Sequence, residues 1–204
     1  MDRQGVTKSI YLLGNTGSGK TQLIRRTHET LRGRIQVKAI YYQPNAVFDA
    51  SRLNAAGIPA VIRNEAFPSP AVTEDVAEEA GDQLLFYEFS GRTGYSLPRN
   101  QEDVYRVYLF SVTDGDEKPL KYPRLFKEIE LVVVNKIDLL PFTDFSLAQF
   151  EKGLRQVNPL VPIIKLSCRN GVGLDNWRKW LLELYGLDVV EESGNLPQLG
   201  ISRL

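Results

Sequence analysis

Along this chain, short apolar runs alternate with longer stretches whose apolar residues recur at helical spacing, a pattern that predicts a βαβα order. Strand candidates are 9–14, 36–42, 60–63, 83–89, 105–112, 131–135 and 163–167. Several are apolar at almost every position, as in Leu131-Val132-Val133-Val134. Such runs leave no polar face for water and suit the interior of a parallel sheet covered on both sides. Helices are expected near 20–32, 49–56, 71–80, 120–128, 144–157 and 174–186. In the last of these, Trp177, Trp180, Leu181, Leu184 and Tyr185 fall at helical spacing and should pack into the core. The predicted fold class is α/β, three layers, with a mostly parallel central sheet and helices on both faces. Residues 1–187 read as one domain, and 188–204 as a C-terminal tail without periodicity, docked or flexible.

Composition narrows the function classes. With 204 residues, 43% hydrophobic and 10% aromatic, the chain can bury one sizeable core. Its 25 basic and 25 acidic residues cancel, so no long-range field draws in nucleic acid or an anionic membrane, and partners must be recognised locally. No apolar run approaches the roughly 18 residues that span a bilayer, and the start MDRQGVTKS lacks the apolar core of a signal peptide. A cytoplasmic location is expected. Cys168 and His28 are the single cysteine and histidine, which excludes a disulfide framework and a closed soft-metal site within these residues.

The segment Gly14-Asn15-Thr16-Gly17-Ser18-Gly19-Lys20-Thr21 follows the first strand and opens a helix. Its glycines allow successive N–H groups to turn inward on an anion, with the positive end of the following helix behind them. Lys20 is placed to reach the outer phosphates of a nucleotide. The Thr21 hydroxyl is placed to bind a Mg²⁺ held mostly by phosphate and water. These features specify a P-loop NTPase fold.

Downstream, the strand 131–135 runs into Asn135-Lys136-Ile137-Asp138. An Asp there can accept from guanine N1–H and its exocyclic amine, donors that adenine lacks at those positions, so Asp138 selects GTP over ATP. Lys136 should lie along the base plane, and Asn135 should tie this loop to the phosphate loop. The next strand ends in Ser167-Cys168-Arg169, where a backbone N–H can face guanine O6. All three motifs lie at carboxyl ends of strands, where open α/β sheets bind ligands. Cys168 is then a small residue lining the base pocket.

Hydrolysis needs a metal, a group that orients the attacking water, and positive charge. Glu88, at the end of the fourth strand, is the acid best placed to approach Mg²⁺ through water. Gly91, in Ser90-Gly91-Arg92-Thr93-Gly94, can offer its N–H to the γ-phosphate.

Taken together these motifs resemble the HypB-type family, the hydrogenase-maturation GTPases of nickel incorporation within the SIMIBI class of P-loop proteins. The resemblance spans roughly residues 8–186 and is most specific at Lys118-Pro119-Leu120-Lys121-Tyr122-Pro123. It implies GTP hydrolysis with Mg²⁺, a nucleotide-dependent homodimer, and delivery of metal to an enzyme precursor through a maturation partner or client. It also implies that Lys118 and Lys121 reach the nucleotide of the opposite subunit, the plainer reading being two solvated lysines beside a turn. The departures are specific. The family's metal-binding Cys and His, counted without gaps, fall on Ser69 and Pro70, and a further ligand Cys falls on Tyr95. Serine, proline and phenol do not replace thiolate and imidazole for Ni²⁺ or Zn²⁺, so neither metal is expected. Gln43 stands where the family has a carboxylate near Mg²⁺ and the attacking water. A glutamine can orient water but brings no charge, so turnover is expected to be slow or partner-dependent. Asp49 is the nearest acid, with a helix-start role favoured for it. A second reading stays open: a GTP-dependent dimerisation switch or adaptor for another metalloenzyme-assembly protein.

Overall fold

In the computed structural model, residues 5–42, 45–63, 81–88 and 102–188 are described. The strands are β1 (Thr7–Leu13), β2 (Gln36–Tyr41), β3 (Ala60–Ile62), β4 (Gln83–Glu88), β5 (Val104–Ser111), β6 (Leu131–Asn135) and β7 (Ile163–Lys165). They form one sheet in the order β3-β2-β4-β1-β5-β6-β7, with every pairing parallel. The helices are α1 (Lys20–Leu31), α2 (Val47–Ala55), α3 (Lys118–Lys121), α4 (Pro123–Lys127), α5 (Leu147–Val157) and α6 (Leu174–Leu184), with a 3₁₀ segment at Ile137–Phe142.

The continuously apolar strands are buried on both faces, and their side chains divide between two cores by the two-residue period of a strand. Ile10, Leu12, Leu84, Phe86, Leu109 and Val133 face one core with α1, α2 and α6. Tyr11, Leu13, Leu85, Tyr87, Phe110 and Val134 face the other with α4 and α5. This is the three-layer arrangement expected. Trp177 is fully buried and stacks on Trp180, and its indole N–H donates to Thr27 Oγ1 at 2.8 Å, fastening α6 to α1. Leu181 and Tyr185 are buried with it, while Trp180 and Leu184 pack at the edge of the same core.

Two helix boundaries differ from the sequence expectation. The single helix at 120–128 is two short ones, broken at Tyr122 (φ −126°, ψ 55°). Pro123 is the cause, because its ring crowds the preceding residue out of the helical region. The helix at 144–157 begins at Leu147, where Ser146 caps it by accepting from Gln149 N–H at 3.3 Å. The candidate helix at 71–80 and residues 189–204 of the tail lie outside the described residues. Among the described residues, no helix is long and apolar enough to cross a membrane.

Chain order places β1 between β4 and β5, so the path from β1 leaves in one direction and later returns on the other side. The carboxyl ends of β1, β4, β5 and β6 converge there, which is where doubly wound sheets open a ligand crevice.

Candidate functional site

The loop after β1 is shaped by residues without side chains. Gly19 has φ 103°, and a Cβ there would come within 2.4 Å of Asn135 Nδ2. Gly14 has φ 148°, and a Cβ on it would sit 2.5 Å from the Leu109 carbonyl oxygen. A Cβ at Gly14 would collide with the backbone of β5, and one at Gly19 with the Asn135 amide. Thr16 and Gly17 are exposed at the crest, and Ser18 is buried beneath. Lys20, the first residue of α1, is only 8% exposed. Its Nζ donates to the carbonyls of Gly14 and Asn15, each at 3.1 Å, and lies 3.4 Å from Glu88 Oε1. The Asn15 amide donates to Asp114 Oδ2 at 3.1 Å.

On the metal side, the Thr21 hydroxyl donates to Asp49 Oδ1 at 3.0 Å. Asp49 lies in the first turn of α2, but the N-cap residue is Ala46. The favoured helix-start role is therefore only part of its function, because its carboxylate also reaches the phosphate loop. Glu88 is 3% exposed at the end of β4. Burial raises its carboxyl from the usual 4.5 to about 7, against the opposing pull of the Lys20 cation. Thr21, Asp49 and Glu88 are all hard oxygen donors beside the phosphate loop and fit Mg²⁺ rather than a soft ion. Among the described residues, no group of three or more His, Cys, Asp or Glu side chains is gathered to hold a metal.

Asn135 joins the two halves of the site. It is 2% exposed, its Nδ2 donates to the Ser18 carbonyl at 2.8 Å, and its Oδ1 accepts from Cys168 N–H at 3.0 Å. One side chain thus connects the phosphate loop, the end of β6 and the loop after β7. Beyond it, Lys136 adopts a left-handed conformation (φ 64°), which turns the chain into the 3₁₀ segment carrying Asp138. A base-sized pocket of about 340 Å³ is lined by Asn135, Lys136, Asp138, Ser167, Cys168 and Arg169. It meets the phosphate-side cleft, about 500 Å³, at Gly19 and Gln22. Asp138 Oδ1 is buried without a hydrogen-bond donor among the described residues, an acceptor facing a pocket with no protein partner. Cys168 is 3% exposed and burial pushes its thiol up to about 12, so it is a pocket-lining group rather than a nucleophile.

The two lysines of the 118–123 run differ: Lys121 is solvated, as the plainer reading has it, and Lys118 is not. Lys118 is tucked inward, with Nζ 3.4 Å from Asp114 Oδ2 and over the rings of Tyr108 and Phe110 at 5.4 and 5.7 Å. Burial holds its ammonium below the usual range. Lys121 is exposed but paired with Glu117.

The structure thus brings Gly14, Asn15, Thr16, Gly17, Ser18, Gly19, Lys20, Thr21, Glu88, Asn135, Lys136, Asp138, Ser167, Cys168 and Arg169 to one edge of the sheet. Gln43, Gly91, Ser69, Pro70 and Tyr95 lie outside the described residues. Sequence reasoning gave no site role to Asp114 or Arg26 and undervalued Asp49. Their partners lie 99, 142 and 28 residues away, and nothing local marks them.

No family-wide sequence profile matches the chain. Individual relatives do. It is 33% identical over 178 residues to the hydrogenase maturation factor HypB of Escherichia coli K12, an alignment covering 84% of this chain and 61% of that protein. The chain thus spans about three-fifths of the length of that relative. Among solved structures, HypB from Archaeoglobus fulgidus superposes with a TM-score of 0.74 at 25% identity, covering 87% of this chain and 90% of the other. HypB from Helicobacter pylori, solved in complex with nickel, gives 0.72 at 25% identity, covering 87% and 86%. In fold, over 87% of its length, and in one aligned residue in three, the chain is similar to HypB hydrogenase maturation factors.

Proposed function

We propose that this chain binds GTP with Mg²⁺ and hydrolyses it to GDP, and that it serves hydrogenase or related metalloenzyme maturation as a nucleotide-dependent homodimer. The observation that carries the reading is the Asn135 junction, which makes one cleft of a phosphate loop and a base pocket containing the unpartnered acceptor of Asp138. In that cleft Asp138 accepts from guanine N1–H and the exocyclic amine, while adenine offers it no donor there. Lys20 turns from the loop carbonyls to the outer phosphates, and Thr21, with Glu88 through water, holds Mg²⁺. The ion supplies charge neutralisation at the phosphates. Gly91 is assigned to the γ-phosphate and Gln43 to the attacking water. A glutamine there favours slow turnover, so the chain acts as a switch until a maturation partner or client engages it.

The same reading gives the chain no nickel or zinc site of its own. Ser69, Pro70 and Tyr95 carry no soft ligand, and the single cysteine is committed to the base pocket.

The test is GTP and ATP titration with Mg²⁺, followed by single-turnover hydrolysis. The chain should bind GTP, discriminate against ATP, and release phosphate, and Lys20→Ala should lose triphosphate binding while remaining folded. Equal affinity for ATP and GTP would overturn the base assignment. Equilibrium dialysis showing a tight stoichiometric Ni²⁺ that is lost on changing Ser69 or Tyr95 would overturn the metal assignment.

A further inference from the structure

Helix α1 begins at the phosphate loop, but it also reaches the base loop. Six residues after Lys20, about 9 Å along the axis, Arg26 extends sideways to the segment following β7. Its Nε donates to the Cys168 carbonyl at 2.8 Å and its Nη2 to the Arg169 carbonyl at 3.0 Å. Nη1 donates to Glu29 Oε2 at 2.9 Å, which fixes the plane of the guanidinium. Two consecutive carbonyls are therefore held toward α1 by one rigid fork, a geometry that a lysine ammonium does not reproduce.

That grip orients the opposite side of the same peptides. In a trans peptide the C=O and the N–H point in opposite directions. Drawing the Cys168 carbonyl to α1 turns the Arg169 N–H away from it, and drawing the Arg169 carbonyl does the same to the Asn170 N–H. Both N–H groups meet Ser167 Oγ, each at 3.3 Å. These are long for N–H···O bonds and leave a donor free to be shared with a second acceptor. Cys168 N–H is already committed to Asn135 Oδ1, and Arg169 lines the base pocket where Asn170 is not among its lining residues, so of these donors the Arg169 N–H is the one with capacity to spare beside the base.

We infer that Arg26 is a positioning residue for purine recognition: by clamping the carbonyls of Cys168 and Arg169 it presents the Arg169 N–H to O6 of the bound base. The inference rests on the guanine-nucleotide reading above. It makes the first half of α1 a strut between the phosphate loop at its start and the base loop held at Arg26. Arg26 touches no nucleotide atom itself, so its effect falls on one contact of the base and not on the whole ligand.

An atom-specific probe tests this in the full chain with Mg²⁺. GTP, 6-thio-GTP and ITP are titrated against the wild type, Arg26→Lys and Arg26→Met, with thermal melting to verify folding. The thio analogue keeps N1–H and the exocyclic amine but weakens the O6 acceptor. ITP keeps O6 and lacks the amine that Asp138 reads. The wild type should prefer GTP over 6-thio-GTP about tenfold. Both Arg26 variants should reduce that ratio to about twofold or less and leave the GTP to ITP ratio unchanged. A merely structural role would lower all three affinities together. A folded Arg26 variant that keeps the full GTP to 6-thio-GTP preference overturns the inference, as does a wild type that binds the two equally. If the wild type favours ATP or binds none of these, the guanine reading itself fails, visibly and before any variant is compared.

Discussion

Replacing Asn135 by alanine removes a side chain that spans the phosphate and base loops. The wild-type amide makes two buried hydrogen bonds, to the Ser18 carbonyl at 2.8 Å and from Cys168 N–H at 3.0 Å, at a position 2% exposed. Alanine leaves both partners buried without a replacement, and each orphaned group costs about 1–3 kcal/mol, so the variant should lose roughly 2–6 kcal/mol of stability. Nucleotide affinity should fall as well, because the two loops lose their common anchor. Asn135→Asp sharpens the test. One carboxylate oxygen still accepts from Cys168 N–H, but the other faces the Ser18 carbonyl, acceptor against acceptor. That variant should be at least as damaged as alanine near neutral pH and should recover as the carboxyl protonates in acid and regains a donor. Urea unfolding read by Trp177 and Trp180 fluorescence measures the loss, since Trp177 is fully buried and reports the packed state. A loss below about 1 kcal/mol in Asn135→Ala, with guanine-nucleotide affinity unchanged, would show that the loops are held by something else.

Two further outcomes follow from the site. Asp138→Asn should weaken GTP binding at least about 30-fold, from the loss of charge-assisted acceptors, and shift preference toward xanthosine triphosphate, whose carbonyl accepts from the new amide; competitive titration of the two nucleotides measures it. Glu88 makes stability depend on pH, because its carboxyl rises from 4.5 to about 7 on folding and the folded chain holds a proton there that the unfolded chain has released. That contribution is complete below about pH 4.5 and is lost as pH rises through about 7, an effect of about 3 kcal/mol. Urea midpoints should therefore fall between about pH 5 and about pH 8 in the wild type with nucleotide and Mg²⁺ withheld, and Glu88→Gln should flatten that slope; an unchanged slope in the variant would refute the assignment.

The parts of the site legible in the sequence are those where the backbone admits few residue types. A loop that must adopt φ 103° at Gly19 under an Asn135 amide leaves little choice but glycine, and the loop and strand-end motifs state that demand locally. The two cores were legible for a similar reason, since strands apolar at every position have nowhere to go but between two layers. Asp49, Asp114 and Arg26 were not, because an ordinary acid or arginine acquires its role only when folding supplies the partner. Nothing in Thr21 announces Asp49, and nothing in Cys168 announces Arg26. The break at Tyr122 was readable in principle from Pro123, but apolar periodicity across 120–128 outweighed it.

The placement of β1 has a consequence for how this chain comes into being. Ile10 pairs with Phe86 on one side and Tyr105 on the other, so the strand that ends in the phosphate loop gains both neighbours only after half of the chain has been made. Loop closure over such distances is slow, and the flanking helices cannot substitute for it. A polypeptide emerging from the ribosome with its first helix formed still has no phosphate pocket. Nucleotide capture becomes a signal that the middle of the sheet has closed, and during refolding it should trail the recovery of helical signal rather than accompany it.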